Sequence, residues 1–236
     1  MQANPANPAN PANPANQVIN DSVGIKGLVV DWSGDQEAFH VPWGKAMMWI
    51  FLLSDTFVFS CFLIGYMVAR ISAVEPWPIT SEVFALEIGG QHIPLVLIAI
   101  MTFILITSSG TMAMAVNYGY RKDKVKAGVL MLVTAILGLS FVGMQVFEWT
   151  KLISEGVRPW GNPFGAEQFG AVFFMVTGFH GLHVSIGVIY LATVAIKILK
   201  GHYEQHGNYE IVEISGLYWH FVDLVWVFIF GLFYLW

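Results

Sequence analysis

Five stretches of this chain, about residues 46–69, 93–117, 126–150, 168–197 and 213–236, are apolar over roughly 20 residues or more, long enough to cross about 30 Å of hydrocarbon. Only helices and closed barrels satisfy their backbone polar groups in lipid, and these runs lack the alternation of barrel strands. They therefore predict an all-α polytopic membrane protein with five transmembrane helices. Composition agrees: 56% of the 236 residues are hydrophobic and 11% are charged, a depletion that no soluble core of this size requires. The net charge of -5 and the lack of basic clusters interleaved with aromatics give no support for a nucleic-acid partner, and none is expected. The single cysteine, Cys61, can form no internal disulfide and reads as a small residue within an apolar run.

Outside the spans the chain carries little chemistry. Residues 1–17 repeat Ala-Asn-Pro and have nothing to bury, which predicts a disordered or polyproline-like tail. Residues 18–45 read as a lead-in along the membrane surface, and residues 46–236 as the transmembrane domain. With the N-terminus cytoplasmic, that side receives eight basic residues (Lys26, Lys45, Arg121, Lys122, Lys124, Lys126, Lys197 and Lys200) against Arg70, Lys151 and Arg158 on the other. The bias favours a cytoplasmic N-terminus and a periplasmic C-terminus. The segments 71–92 and 151–167, with their prolines and tryptophans, read as irregular outer loops.

Polar side chains inside the apolar runs need a reason. Asp55 is the tenth residue of the first span, about 14 Å from its start. It reads either as a proton-linked or partner-facing carboxyl or as an acid hydrogen-bonded to a neighbouring helix. His180 and His183 lie one turn apart on the fourth span. Their spacing invites metal or haem ligation, yet the candidates are scattered, and the reading adopted is interhelical hydrogen bonding with close helix approach at Gly178, Gly181 and Gly187. His220 and Asp223 sit in the inner half and middle of the last span, and depth alone would pair Asp223 with His183. Gln145 and Glu148 are a turn apart near the outer end of the third span, where Glu148 can snorkel to the interface or belong to a polar pathway. Lys197, Lys200 and His202 end the fourth span, placed to meet lipid phosphates or to fix topology.

The segments FFMVTGFHGLHVSIG (173–187) and LYWHFVDLVWVFIF (217–230) closely resemble two signatures of subunit III of the haem-copper respiratory oxidases. LLSDTFVF (52–59), LITSSGTMA (105–113) and FVGMQVFEW (141–149) precede them in the family's order, so the resemblance covers residues 43–236 in the shorter, five-helix bacterial form. It implies a subunit of the bacterial inner membrane that binds no haem, copper or other metal itself. Those cofactors belong to partner subunits I and II, which carry electrons from cytochrome c or quinol to dioxygen while pumping protons. The implied roles are assembly, retention of structural phospholipids and proton uptake into the catalytic subunit. Asp55 is similar to the family's buried carbodiimide-reactive carboxyl, Lys197 and His202 to positions that hold lipid phosphate, and Glu213 to a family acid. The Ser54-Asp55 pair resembles quinol-oxidase relatives, where many cytochrome c oxidases have Ser-Glu. The first two helices of the longer form are missing, which leaves open whether its lipid cleft persists.

Three alternatives stand beside this reading: an accessory subunit of a nitric oxide reductase, a haem-binding membrane protein using His180, His183 and His220, and a proton-coupled transporter built on Asp55. Five spans offer no even inverted repeat for the last.

Overall fold

The computed structural model describes residues 42–88, 91–203 and 210–236. The Ala-Asn-Pro tail and nearly all of the surface lead-in fall outside them. The regular elements of the described part are helices and one hairpin, with an isolated bridge between Arg158 and Gly161. We label the long helices α1 (Trp43–Ser72), α2 (Val96–Tyr120), α3 (Lys124–Ser154), α4 (Gln168–Leu199) and α5 (Glu210–Ile229), the last continuing as a π-helical segment over Phe230–Leu235. All five are long and apolar enough to cross a membrane.

The segment after α1 is more ordered than its composition suggests. It holds a helical turn at Thr80–Val83 and two antiparallel strands, β1 (Ala85–Ile88) and β2 (Gln91–Pro94). Two glycines between alternating residues were the available signal for that hairpin.

Within residues 42–46, the backbone N–H groups of Lys45 and Ala46 donate to the Pro42 carbonyl and start α1. From Met47 onward, α2, α3, α4 and α5 close into a four-helix bundle in which each packs against two others. α1 stands outside it, with 17% of its apolar window buried against 28% to 44% in the other spans.

Small residues decide how closely the bundle can pack. A Cβ on Gly138 of α3 would lie 2.4 Å from the Trp219 ring, and one on Gly187 of α4 would lie 3.1 Å from it. The fully buried indole of Trp219, from α5, thus occupies space that two glycines leave open. Its Nε1–H donates to Ser108 Oγ of α2 at 2.9 Å, so one side chain touches all four bundle helices. Seven residues on, Trp226 Nε1–H donates to Thr102 Oγ1 of α2 at 3.0 Å. Thr111 and Thr134 join α2 to α3 at 2.8 Å. Gly178 meets Trp149, whereas Gly181, expected at a helix contact, faces open space.

α2 and α3 are joined by a tight turn. Lys122 takes a left-handed conformation (φ 57°), and the N–H groups of Lys122 and Asp123 donate to Gly119 and Tyr118, closing the end of α2. Asp123 then caps α3, its Oδ1 accepting the Lys126 N–H at 3.1 Å, a bond that holds this partly exposed carboxyl below the usual carboxylate range. A lowered carboxyl adds stability above its unfolded value and loses it as pH falls through its folded one.

Two glycine variants test the packing. Gly138→Ala is expected to cost about 1–3 kcal/mol by overpacking against Trp219. Gly181→Ala should be neutral or gain about 0.5–1 kcal/mol from helix propensity. Thermal unfolding of the purified protein in detergent reads both, and equal effects would contradict this packing. For the α2–α3 turn, Asp123→Ala should remove the part of the acid-side loss of stability that lies below the ordinary carboxyl range, measured as the pH dependence of the same transition.

Candidate functional site

The buried polar residues fall into four places rather than one. The first lies between α1 and α4. His183 Nδ1 is 2.8 Å from the Phe179 carbonyl, an acceptor, so Nδ1 must carry a hydrogen. That leaves Nε2 toward Asp55, whose Oδ2 is 3.4 Å away, with both side chains almost fully enclosed. Tyr218 of α5 donates to the backbone carbonyl of His183 at 2.9 Å, and the rings of Phe59 and Phe179 lie 5.4 and 4.7 Å from the imidazole. Oδ2 has no other partner among the described residues, so His183 Nε2 is the group it faces.

The pairing of His183 with Asp223 is thereby corrected. Both lie at middle depth, but depth does not fix azimuth: α4 turns His183 toward α1, and α5 turns Asp223 toward α2. Asp223 instead stands beside a second cluster, in which Ser109 Oγ is 2.6 Å from His220 Nδ1. Asp223 Oδ1 is buried without a partner among the described residues.

The third place is the core itself. His180 is 1% exposed, stacked on Trp226 at 5.3 Å and set edge-on to Phe141 at 5.9 Å. Neither ring nitrogen has a hydrogen-bond partner among the described residues, so the interhelical bonding expected of the histidine pair holds for His183 alone. Beyond it, Gln145 Nε2 donates to Glu148 Oε2 at 2.7 Å and Tyr234 Oη–H donates to the same oxygen at 3.2 Å. Glu148 is 3% exposed, so it does not snorkel. The reason is Tyr234, which the π-helical turn of the last span carries over it, a partner that spacing within α3 could not reveal.

The fourth place is the end of α4. Gly201 takes φ 75°, and the N–H groups of Gly201 and His202 donate to Ile198 and Lys197, which ends the helix and gathers Lys197, Lys200 and His202 on one exposed rim. Glu213 is half-buried in the first turn of α5. Among the described residues no three His, Cys, Asp or Glu side chains converge as a metal would need. His180, His183 and His220 point to the core, to α1 and to α2.

A residue the sequence did not single out is Arg70. It donates to the Trp236 carbonyl at 2.7 Å and to Tyr66 Oη at 3.1 Å, while Tyr66 donates to the Leu232 carbonyl at 3.0 Å, and its guanidinium lies 4.3 Å from the centre of the Trp236 ring. These contacts fasten the end of α1 to the π-helical segment.

Residues 32–236 match the family described as cytochrome c oxidase subunit III. Over 187 residues the chain is 34% identical to the probable quinol oxidase subunit 3 of Staphylococcus aureus (strain USA300), covering 79% of this chain and 85% of the relative. The protein of the same description from Staphylococcus epidermidis is 33% identical over 186 residues, with the same coverage.

A double-mutant cycle on Asp55 and His183 is expected to show coupling of about 0.5 kcal/mol or more, as buried polar pairs between membrane helices do. The cycle on His183 and Asp223 should be additive. Denaturation in mild detergent measures both, and the reverse ranking would contradict the pairing described.

Proposed function

Because the chain belongs to the subunit III family of the haem-copper oxidases, and so forms part of a multi-pass membrane oxidase complex, we propose that it supports the redox subunits without carrying a redox centre. The scatter of its histidines supports this reading. Haem and copper belong to partner subunits I and II, where dioxygen is reduced and protons are pumped. We place the complex in the bacterial inner membrane with this chain's N-terminus in the cytoplasm, in keeping with eight basic residues on that side against three. The rim of Lys197, Lys200 and His202 suits phospholipid phosphates. The relatives' description as quinol oxidase subunits, with the Ser54-Asp55 pair, favours quinol over cytochrome c as the donor to the complex.

The observation that carries the proposal is the contact between Asp55 and His183. Because Nδ1–H is committed to Phe179, transfer of the shared proton between Oδ2 and Nε2 needs no ring flip. Two groups in different helices thus hold one exchangeable proton near mid-membrane. Such a pair can buffer proton delivery into a partner packed on α1, or hold α1 at a fixed spacing. Each function fails differently when one side chain changes.

Asp55→Asn keeps the shape and an acceptor oxygen but removes the acid. The complex should assemble with normal haem content, while its working life during turnover, or its proton yield per electron, falls. Proteoliposome pumping assays and turnover-to-inactivation curves measure this. Normal values for both in a fully assembled Asp55→Asn complex would reject the proton-linked role. A haem absorbance band that stays with the isolated chain would reject the division of labour between subunits.

A further inference from the structure

An open groove of about 660 Å³ runs between α1 and α5. Its walls are almost wholly hydrocarbon and aromatic, with Phe59 and Phe221 in contact at 6.4 Å across it. A lipid-facing surface of this kind is unremarked in a membrane protein until it contains polar groups. His220 and Ser60 line it, one from each wall, and each is the chain neighbour of one of the two contacting phenylalanines, so both lie at nearly the same level. Among the described residues no hydrogen bond engages Ser60 Oγ or His220 Nε2. The hydroxyl one turn away on the same wall, Thr56, already donates to the Leu52 carbonyl.

Ser109 Oγ lies 2.6 Å from His220 Nδ1 and engages that nitrogen. In the tautomer whose Nδ1–H donates to Ser109, Nε2 carries a lone pair directed away from Ser109 and able to accept a hydrogen bond. In that tautomer the groove offers an acceptor on α5 and, on α1, a hydroxyl with no hydrogen bond among the described residues, set in an aromatic slot.

Depth narrows what can answer them. His220 is ten residues into the last span, about 15 Å from its start. A phospholipid anchored at the interface keeps its ester and phosphate oxygens near the surface of a hydrocarbon layer about 30 Å thick, and brings only methylene groups to this level. The fitting ligand is apolar overall, flat enough to lie against Phe59 and Phe221, and bears a ring hydroxyl that donates. We propose that the groove between α1 and α5 is a binding site for a membrane-borne quinol, with a ring hydroxyl donating to His220 Nε2. Ser60 meets the same ring from the other wall. The site favours the reduced form over the quinone, because Nε2 accepts a hydrogen that the quinone lacks. It holds the quinol without reacting with it, and it rests on the proposed quinol donor for the supply of such molecules in the bilayer.

The test uses the purified whole complex and a photoreactive azido-quinol with a short alkyl tail, followed by peptide mapping. Label is expected on the peptides containing Ser60 and His220, competed by excess unlabelled short-tailed quinol. Labelling should fall about tenfold or more in His220→Phe and persist in His220→Gln, whose amide oxygen still accepts. Where His220→Phe disturbs assembly, Ser60→Ala is expected to weaken labelling in an intact complex. Label confined to other subunits, groove label insensitive to both His220→Phe and Ser60→Ala, or a helix of another subunit cross-linked into the groove would each overturn the site. Turnover with the same unlabelled quinol is scored separately. A complex that oxidises quinol with an unlabelled groove overturns the site and leaves the donor reading intact. One that labels in the groove yet accepts electrons only from cytochrome c supports the site and overturns the donor reading.

Discussion

The Trp219 indole is the contact on which the bundle depends. Hydrocarbon surrounding a membrane protein gives helices no hydrophobic reason to associate, so close packing and buried hydrogen bonds must hold them together. Trp219 supplies both, filling the space above Gly138 and Gly187 while its single donor is satisfied by Ser108. Trp226 repeats the arrangement with Thr102 and gives His180 the aromatic face on which it stacks. Because α5 is fixed in rotation by these two rings, the directions of its other residues are fixed as well. Tyr218 is carried to the His183 carbonyl, and His220 and Asp223 to Ser109. The polar clusters are thus set by the packing of two large side chains.

The five helices could be read from length and hydropathy because a membrane span must be continuous, and a continuous apolar run leaves a plain record in sequence. The sequence also marked Asp55, His183, His220, Asp223, Gln145 and Glu148 as needing partners. It did not reveal which partners. Residues three apart on a helix share a face, but the direction of that face relative to other helices depends on rotation, which tryptophan and glycine set from a distance along the chain. Depth therefore suggested His183 with Asp223, whereas rotation placed Asp55 opposite His183. The choice between interface and interior for Glu148 is hidden for a related reason: Tyr234 reaches it from a π-helical turn that no periodicity announces.

Three histidines within the spans, His180, His183 and His220, show how one residue type differs according to its surroundings. His180 is enclosed by rings and bonds nothing among the described residues. His183 has one nitrogen committed to its own helix and the other to a carboxyl, and His220 has one nitrogen tied to Ser109 and the other turned to a groove. Loss of the imidazole would therefore mean a packing defect in the first case, a lost contact between α1 and α4 in the second and a changed groove wall in the third.

The fastening of Arg70 and Tyr66 to the last turns of the chain bears on how α1 can move. Both lie near one end of the helix, and their acceptors are backbone carbonyls, which stay in place when side chains change. Asp55 is 15 residues from Arg70 along the helix, about 22 Å. A helix pinned at one end and touching its neighbours elsewhere through long side chains moves as a hinged arm. Its displacements are arcs about the pin, and they grow with distance from it. Axial sliding is resisted by the pin, while a swing changes the separation of Asp55 from α4 and the width of the opening beside α5 in the same stroke.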